Sequence, residues 1–211
     1  MQPPRQKRRR KQRAATALPP PGVAIPRKTV YTISILILTR RIFMLYALFA
    51  AMAALVLAAD QWLKFWVVEN LPLGETAPLL PGLVQLRTVH NYGAAWSSFS
   101  GSGKLLLAVT GAIVLGVAIL VAARIIRHPL GLTAAFLVIS GGLGNIIDRA
   151  RLGYVVDMFD LLFMDYPVFN IADICIVCGC ILGCIYYLWF YEKYDKRKKH
   201  DGEADAASGG D

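Results

Sequence analysis

Long runs of apolar residues, separated by short polar segments, make up most of the chain. Four of the runs hold 18 or 19 residues without a charge: Ile42–Ala59, Leu105–Ala123, Leu130–Ile147 and Ile174–Tyr191. A helix needs about 20 such residues to cross the hydrocarbon core of a bilayer. The pattern therefore predicts an all-α membrane protein with four transmembrane helices.

The polar segment between the first and second runs has a different pattern. Leu83–Val89 is rich in residues that favour strands, and it lies between Pro81-Gly82 and Asn91, which are typical of turns. We expect a small β-containing segment here, between spans 1 and 2, lying on the membrane surface.

Positive charge is concentrated at the two ends of the chain. Eleven of the 23 Lys and Arg residues lie within the first 41 positions, and five lie within 193–199. Together with Arg124 and Arg127, they fall on one side of a four-span arrangement, and the positive-inside rule assigns that side to the cytoplasm. Both termini are then cytoplasmic. The connections Asp60–Lys104 and Asp148–Asp173, which hold most of the acidic residues, face outward.

The basic N-terminal segment does not have the pattern of a nucleic-acid-binding region. Residues 5–13 contain no interleaved aromatic side chains, and no recognisable nucleic-acid-binding fold follows them. A mixture of prolines and charges buries almost nothing, so we expect residues 1–41 to be a disordered basic extension. Within it, Val30–Leu38 is too short to span and is expected at the membrane interface. The four-span domain then covers residues 42–192, and a flexible cytoplasmic tail covers 193–211.

The four cysteines all lie in the fourth apolar run, at positions 175, 178, 180 and 184. At about 100° per residue they fall on two opposed faces of a helix, which gives no closed metal site. We interpret them as small packing residues. No metal or cofactor is expected.

Candidate chemistry lies at the ends of the runs. Asn145, Asp148 and Arg149 share one helical face where the third run ends. An aspartate at a helix C-terminus opposes the helix dipole, so it needs a partner, either Arg149 or backbone amides of the next loop. An interfacial polar collar is the structural alternative.

The fourth run is preceded by a possible capping box, with Asn170 as the N-cap and Asp173 three residues later. Capping alone would explain both residues. However, Asp157 lies just upstream among apolar neighbours, and two carboxylates at a membrane surface are costly unless they are paired, protonated or used. Two close carboxylates share a proton, so one can act as a base towards water while the other polarises a peptide carbonyl.

Two further polar motifs precede these. Asp60 and Lys64 have the i, i+4 spacing of an ordinary interfacial salt bridge. Asn91, Gly93 and Ala94 follow the predicted strand, and such small residues permit close approach to a ligand or simply form a turn.

Taken in order, these motifs resemble those of the lipoprotein signal peptidases. The motifs are Asp60-Gln61-x-x-Lys64, Asn91-x-Gly93-Ala94-Ala95, Gly144-Asn145-x-x-Asp148-Arg149, Val155-Val156-Asp157 and Phe169-Asn170-x-Ala172-Asp173. The resemblance covers about residues 42–192. It implies a bacterial inner-membrane aspartyl endopeptidase that cleaves prolipoproteins immediately before a cysteine carrying diacylglycerol. Its expected partners are those substrates and membrane lipids, with no nucleic acid, and it is expected to be a monomer.

The resemblance also assigns roles to residues. The catalytic pair falls on Asp157 and Asp173. The supporting or substrate-binding positions are Asp60, Lys64, Asn91, Gly93, Ala94, Asn145, Asp148, Arg149, Asn170 and Ala172. Asp148 is the rival for the catalytic role, but Arg149 beside it would lower its pKa and make it a poor proton shuttle.

Two other classes of protein compete with the peptidase. In a proton-coupled transporter, Asp148, Asp157 and Asp173 would form a relay, but the carboxylates cluster at one surface and the spans are uninterrupted. A non-catalytic membrane scaffold is the third hypothesis. The sequence departs from the family at Trp96, where Phe is usual, and in the lengths of both tails.

Overall fold

The computed structural model describes residues 27–93 and 103–196. In chain order the elements are α1 (Arg27–Asn70), β1 (Thr76–Leu80), β2 (Val84–Asn91), α2 (Gly103–Ala122), α3 (Pro129–Leu152), β3 (Val155–Leu161) and α4 (Ile171–Tyr186), followed by a π-helical segment at Tyr187–Lys196. The chain divides into two compact units, residues 1–45 and 46–211.

In the first unit, the described residues are helical from Arg27 onward. The predicted disorder of residues 1–41 is therefore wrong for 27–41, while 1–26 lie outside the described residues. The helix begins directly after Pro26, and no Pro or Gly interrupts the sequence from Arg27 to Asn70. Nothing in the local sequence stops the helix before the apolar run begins.

In the described part of the chain, four helices are long and apolar enough to cross a membrane: Phe43–Asn70, Gly103–Ala122, Pro129–Leu152 and Ile171–Asp195. The four predicted spans are confirmed, and all four helices extend into polar sequence. The first was predicted to end at Ala59, but its helix continues past Asp60 and Lys64. These charges neutralise each other in a buried cluster described below, so they do not end the helix.

The third helix lies between two others and has defined ends. His128 accepts a hydrogen bond from the backbone N–H of Leu130, Pro129 follows it, and Gly153 ends the helix with a φ of 83°. A positive φ favours glycine at this position. Helix α3 packs against both α2 and α4.

Glycines permit the close packing of α3 and α4. A Cβ atom on Gly141 would lie 2.3 Å from the carbonyl oxygen of Ala172, and one on Gly179 would lie 2.9 Å from that of Ala134. Such contacts between small residues are how membrane helices approach each other.

The three strands form one antiparallel sheet in the order β1-β2-β3. Strand β2 confirms the predicted strand at Leu83–Val89 to within two residues. The sheet is not confined to the connection between spans 1 and 2, because β3 comes from between α3 and α4. The apolar core beneath it joins Val67 of α1 and Leu71, the residue after that helix, to Leu86, Val156 and Met158 of the sheet.

Candidate active site

The predicted site residues gather beside the C-terminal part of α1, near the end of α3 and at the start of α4. Strands β2 and β3 reach the same place, because Val89 pairs with Asp157 and Asn91 with Val155. Residues separated by more than 100 positions are thereby brought into contact, as the hydrogen bond from the Ala172 amide to Asp60 shows.

One half of the site is a lysine cluster, made of Asp60, Gln61, Lys64 and Asp148. The Lys64 Nζ lies 3.0 Å from Asp60 Oδ2 and 2.8 Å from Asp148 Oδ2, and it donates a 3.1 Å hydrogen bond to Asn145 Oδ1. Its three N–H groups therefore have three oxygen partners. The side chain of Lys64 is only 3% exposed, so this is a buried ion-pair cluster rather than an ordinary interfacial salt bridge.

Two partners were predicted for the Asp148 carboxylate, Arg149 and backbone amides, and the second is observed together with Lys64. The carboxylate is paired with Lys64 and also accepts hydrogen bonds from the Val156 amide and the Gln61 side chain. The predicted alternative of a backbone amide after α3 is thus confirmed, although the donor lies in strand β3 rather than in a loop. The argument that Arg149 holds this carboxylate is wrong, because the Arg149 guanidinium donates to the carbonyl oxygen of Gly93 instead, at 2.9 Å.

Asp60 fastens the start of α4 to the lysine cluster. Its Oδ1 accepts the Ala172 backbone N–H at 2.9 Å, which satisfies one of the unpaired amides of the first helical turn. A negative charge is also favourable at a helix N-terminus. Glycine at residue 144 leaves room for the carboxylate, since a Cβ atom there would lie 2.7 Å from Asp60 Oδ2.

The other half of the site is an aspartate pair, Asp157 and Asp173. Asp157 is 1% exposed, and its oxygens accept from the side-chain amides of Asn170 at 2.6 Å and Asn91 at 2.9 Å. Burial, followed by the negative charge of Asp173, raises the pKa of Asp157 to about 7, although the two amide donors oppose the shift. This carboxyl can therefore exchange a proton near neutral pH.

Asp173 lies in the first turn of α4 and is held by Asn145 of α3 and by the N-cap residue Asn170. Its Oδ1 accepts from the Asn145 side-chain amide at 2.8 Å, and its Oδ2 accepts from the Asn170 backbone N–H at 3.2 Å. The Asn170 side chain in turn accepts the Asp173 backbone N–H at 2.9 Å. The predicted capping box is confirmed in both directions.

Asn170 has a second set of contacts that capping does not require. Its fully buried side-chain amide contacts Asp157 Oδ1 and also Asn145 Oδ1, at 3.2 Å. Asn145 contacts both Lys64 and Asp173. These two asparagines therefore connect the aspartate pair to the lysine cluster through neutral amides.

A cavity of about 240 Å³ opens beside Asp173. Asn91 lines one part of it, the segment 166–169 lines another, and Ile176 and Val177 of α4 extend it towards the apolar part of the helix. A cavity with one polar end at a carboxylate and one apolar end could hold an amphiphilic chain.

The family model described as signal peptidase (SPase) II matches residues 52–190. A lipoprotein signal peptidase of Streptococcus pyogenes serotype M2 is 43% identical over 151 residues, which cover 70% of this chain and 96% of that protein. One of Enterococcus faecalis is 38% identical over 160 residues, covering 74% and 96%. The chain belongs to the signal peptidase II family.

Solved structures agree with this result. A bacterial membrane enzyme determined at 2.3 Å by the in meso method is 30% identical with a TM-score of 0.64, covering 67% of this chain and 88% of that one. A second, at 1.9 Å, is 29% identical with a TM-score of 0.63 and covers 68% and 94%. This signal peptidase II homologue is a protease of the bacterial inner membrane that acts on lipoprotein signal peptides.

Most of the predicted site residues of this signal peptidase II homologue meet at one place, and Ala94 and Trp96 lie outside the described residues. Sequence reasoning did not assign a role to Gln61, which contacts both Asp60 and Asp148, or to Gly144. Both lie inside motifs that were already recognised, and that position is the signal that could have identified them. Among residues 27–93 and 103–196, no three His, Cys, Asp or Glu side chains are grouped to hold a metal ion.

Proposed function

We propose that this signal peptidase II homologue is an aspartyl endopeptidase in which Asp157 and Asp173 activate water. It removes the signal peptide of diacylglyceryl-modified prolipoproteins immediately before the lipidated cysteine. The proposal rests on one observation: the four carboxylates of the site differ in whether a cation is paired with them. Asp60 and Asp148 are paired with a buried cation, whereas the hydrogen bonds that Asp157 and Asp173 accept from residues 27–93 and 103–196 come from neutral N–H donors.

The reaction needs one ionised and one protonated carboxyl. The ionised member takes a proton from water as the water oxygen attacks the peptide carbonyl, and the protonated member donates a hydrogen bond to the developing oxyanion. Collapse of the tetrahedral intermediate breaks the C–N bond as a proton passes to the leaving nitrogen. The signal peptide leaves with a new carboxylate, and the lipidated cysteine leaves with a free amino group.

The surrounding residues have positioning roles in this proposal. Asn91, Asn145 and Asn170 orient the carboxylates by hydrogen bonds, and Arg149 fastens the backbone at Gly93. Asp60, Lys64, Asp148 and Ala172 hold α1, α3 and α4 in register. The cavity beside Asp173 accepts the residues around the cleaved bond.

The proposed orientation puts both termini in the cytoplasm and the site at the outer face. Arg124 and Arg127 lie in the α2–α3 connection, at the end of α3 opposite Asn145 and Asp148. The positive-inside rule supports a cytoplasmic position for that connection. Reaction of an introduced cysteine at residue 127 with an impermeant thiol reagent, in intact cells, would contradict this orientation.

In vitro cleavage of a diacylglyceryl-modified prolipoprotein by the purified chain tests the reaction. The wild-type chain should release the signal peptide, and mass spectrometry of the products should put the new N-terminus at the lipidated cysteine. Cleavage at another bond, or equal cleavage of a substrate without diacylglycerol, would contradict the proposed specificity.

A further inference from the structure

A second cavity, of about 530 Å³, lies at the opposite end of α3 from the aspartate pair. Its floor is the first half of α3, from Gly131 to Val138. Its walls include Val117 of α2 and Cys180, Gly183 and Tyr187 of α4 and the segment that follows. The cavity is almost entirely apolar, and neither the proposed chemistry nor the lysine cluster uses it.

One face of the fourth helix connects this cavity to the active site. Asp173 and Ile176 line the cavity at the catalytic end, whereas Cys180, Gly183 and Tyr187 line the distal one. The spacings of three, four, three and four residues put all five on the same helical face. From Asp173 to Tyr187 this face is about 21 Å long, at 1.5 Å per residue.

We infer that the distal cavity binds the N-terminal half of the apolar segment of the substrate's signal peptide. The inference rests on the proposed function, since it assumes that the bond to be cut lies at Asp173. The apolar segment of a signal peptide has about 7–15 residues, or roughly 10–22 Å as a helix. The α4 face has the same length, so the longer segments reach the distal cavity and the shorter ones do not.

The small side chains at positions 180 and 183 favour a helix as the occupant. Gly183 and Cys180 allow another backbone to approach α4 closely, which is how membrane helices associate. The acyl chain of a membrane lipid is also apolar, but binding it does not require a face that begins at the catalytic carboxylate. The continuity of the α4 face therefore favours the peptide.

A matched pair of cysteine substitutions tests the inference in the full chain. Cys180 and Cys178 are both exposed on α4, but only Cys180 lines the distal cavity. With a diacylglyceryl prolipoprotein that has a 15-residue apolar segment, Cys180→Phe should lower kcat/KM about tenfold, mainly through KM, because it fills the binding space. Cys178→Phe should have the kcat/KM of the wild type.

A second substrate, shortened to 8 apolar residues from the N-terminal side, separates the outcomes. Cys180→Phe should cleave it as fast as the wild type does. Equal cleavage of the long substrate by both variants would overturn the inference. An equal loss on both substrates would also overturn it, because it would show that a lipid or the helix packing, rather than the distal part of the peptide, depends on the cavity.

A photoreactive residue gives a readout that does not depend on turnover. When this residue replaces Val117 in the α2 wall, it should cross-link the long substrate and not the short one. When it replaces Leu115, which is exposed outside the cavity, it should cross-link neither substrate. If the Val117 variant still cleaves the long substrate but forms no cross-link with it, the inference about the distal cavity is wrong and the proposed function is unaffected. Loss of all cleavage by the wild type would instead refute the proposed function.

Discussion

The two halves of the site contain the same type of residue in opposite electrostatic situations. In the lysine cluster, two buried carboxylates share one buried ammonium group. In the aspartate pair, the buried carboxylate of Asp157 and the partly buried carboxylate of Asp173 are held by asparagine side chains and by a backbone amide group. Breaking a buried ion pair is strongly destabilising, whereas two close carboxylates that form no direct ion pair can share a proton. The first half therefore holds helices together, and the second half has the properties needed for chemistry.

The largest expected effect is on the aspartate pair. Asp157→Asn should lower kcat/KM at least about 1,000-fold, because an amide cannot act as the general acid or base. The thermal midpoint should not fall, since the substitution removes a buried charge. Asp160→Asn, on the same strand, is the control and should cleave prolipoprotein normally. Substantial activity in folded Asp157→Asn would exclude Asp157 from the chemistry.

A substitution in the lysine cluster should mainly lower the stability of the protein rather than remove its chemistry. Lys64→Met leaves two buried carboxylates without a cation, which should cost about 3–5 kcal/mol of stability and lower the thermal midpoint strongly. The control is Lys104→Met, at an exposed position at the start of α2, which should change the thermal midpoint little. If Lys64→Met keeps the wild-type midpoint but loses turnover, the division between a structural and a chemical half is wrong.

Asn170 tests the boundary between the halves, because it both caps α4 and contacts Asp157. Asp caps a helix about as well as Asn, so Asn170→Asp should leave the thermal midpoint nearly unchanged. A third carboxylate raises the pKa values of its neighbours, so activity at pH 7 should fall about tenfold and the pH optimum should move upward. Wild-type turnover across the pH range would show that Asn170 is only a cap.

A smaller effect is expected in the pH dependence of stability. The pKa of Asp157 rises from its ordinary value of 3.8 to about 7 on folding, so between these values the unfolded chain binds fewer protons than the folded one. The contribution of Asp157 to stability is then full below pH 3.8 and is lost as the pH rises through about 7. Asp157→Asn should flatten this part of the thermal-midpoint profile, and an unchanged slope would show that the pKa of Asp157 is not raised.

The smallest effect is expected at the N-terminus. A chain beginning at Lys28 should keep kcat/KM within about twofold, because the described contacts of both halves begin at Asp60. Cleavage by the truncated and full chains, purified in the same lipid, measures this. A large loss of turnover with an unchanged thermal midpoint would show that the N-terminal extension contributes to activity.

Local sequence determined which segments are spans and which polar residues along them are candidates for the chemistry. Span length follows from bilayer thickness, and the capping box at Asn170 and Asp173 is complete within four residues, so both can be predicted without a fold. The motifs also identified the aspartates, since carboxylates among apolar residues at the ends of spans are costly unless they have a role.

Only the tertiary structure decided which groups face each other. Lys64 pairs with Asp148 across 84 positions, and Asp157 receives an amide from Asn91 across 66 because β3 joins the edge of β2. Its position next to Asp148 in the sequence made Arg149 one of two candidate partners, but this side chain is directed to Gly93. Local periodicity specifies the face of a helix on which a side chain lies, whereas its partner depends on which face of another element packs there. That packing decides which carboxylates are paired with a cation and which accept amide hydrogen bonds instead.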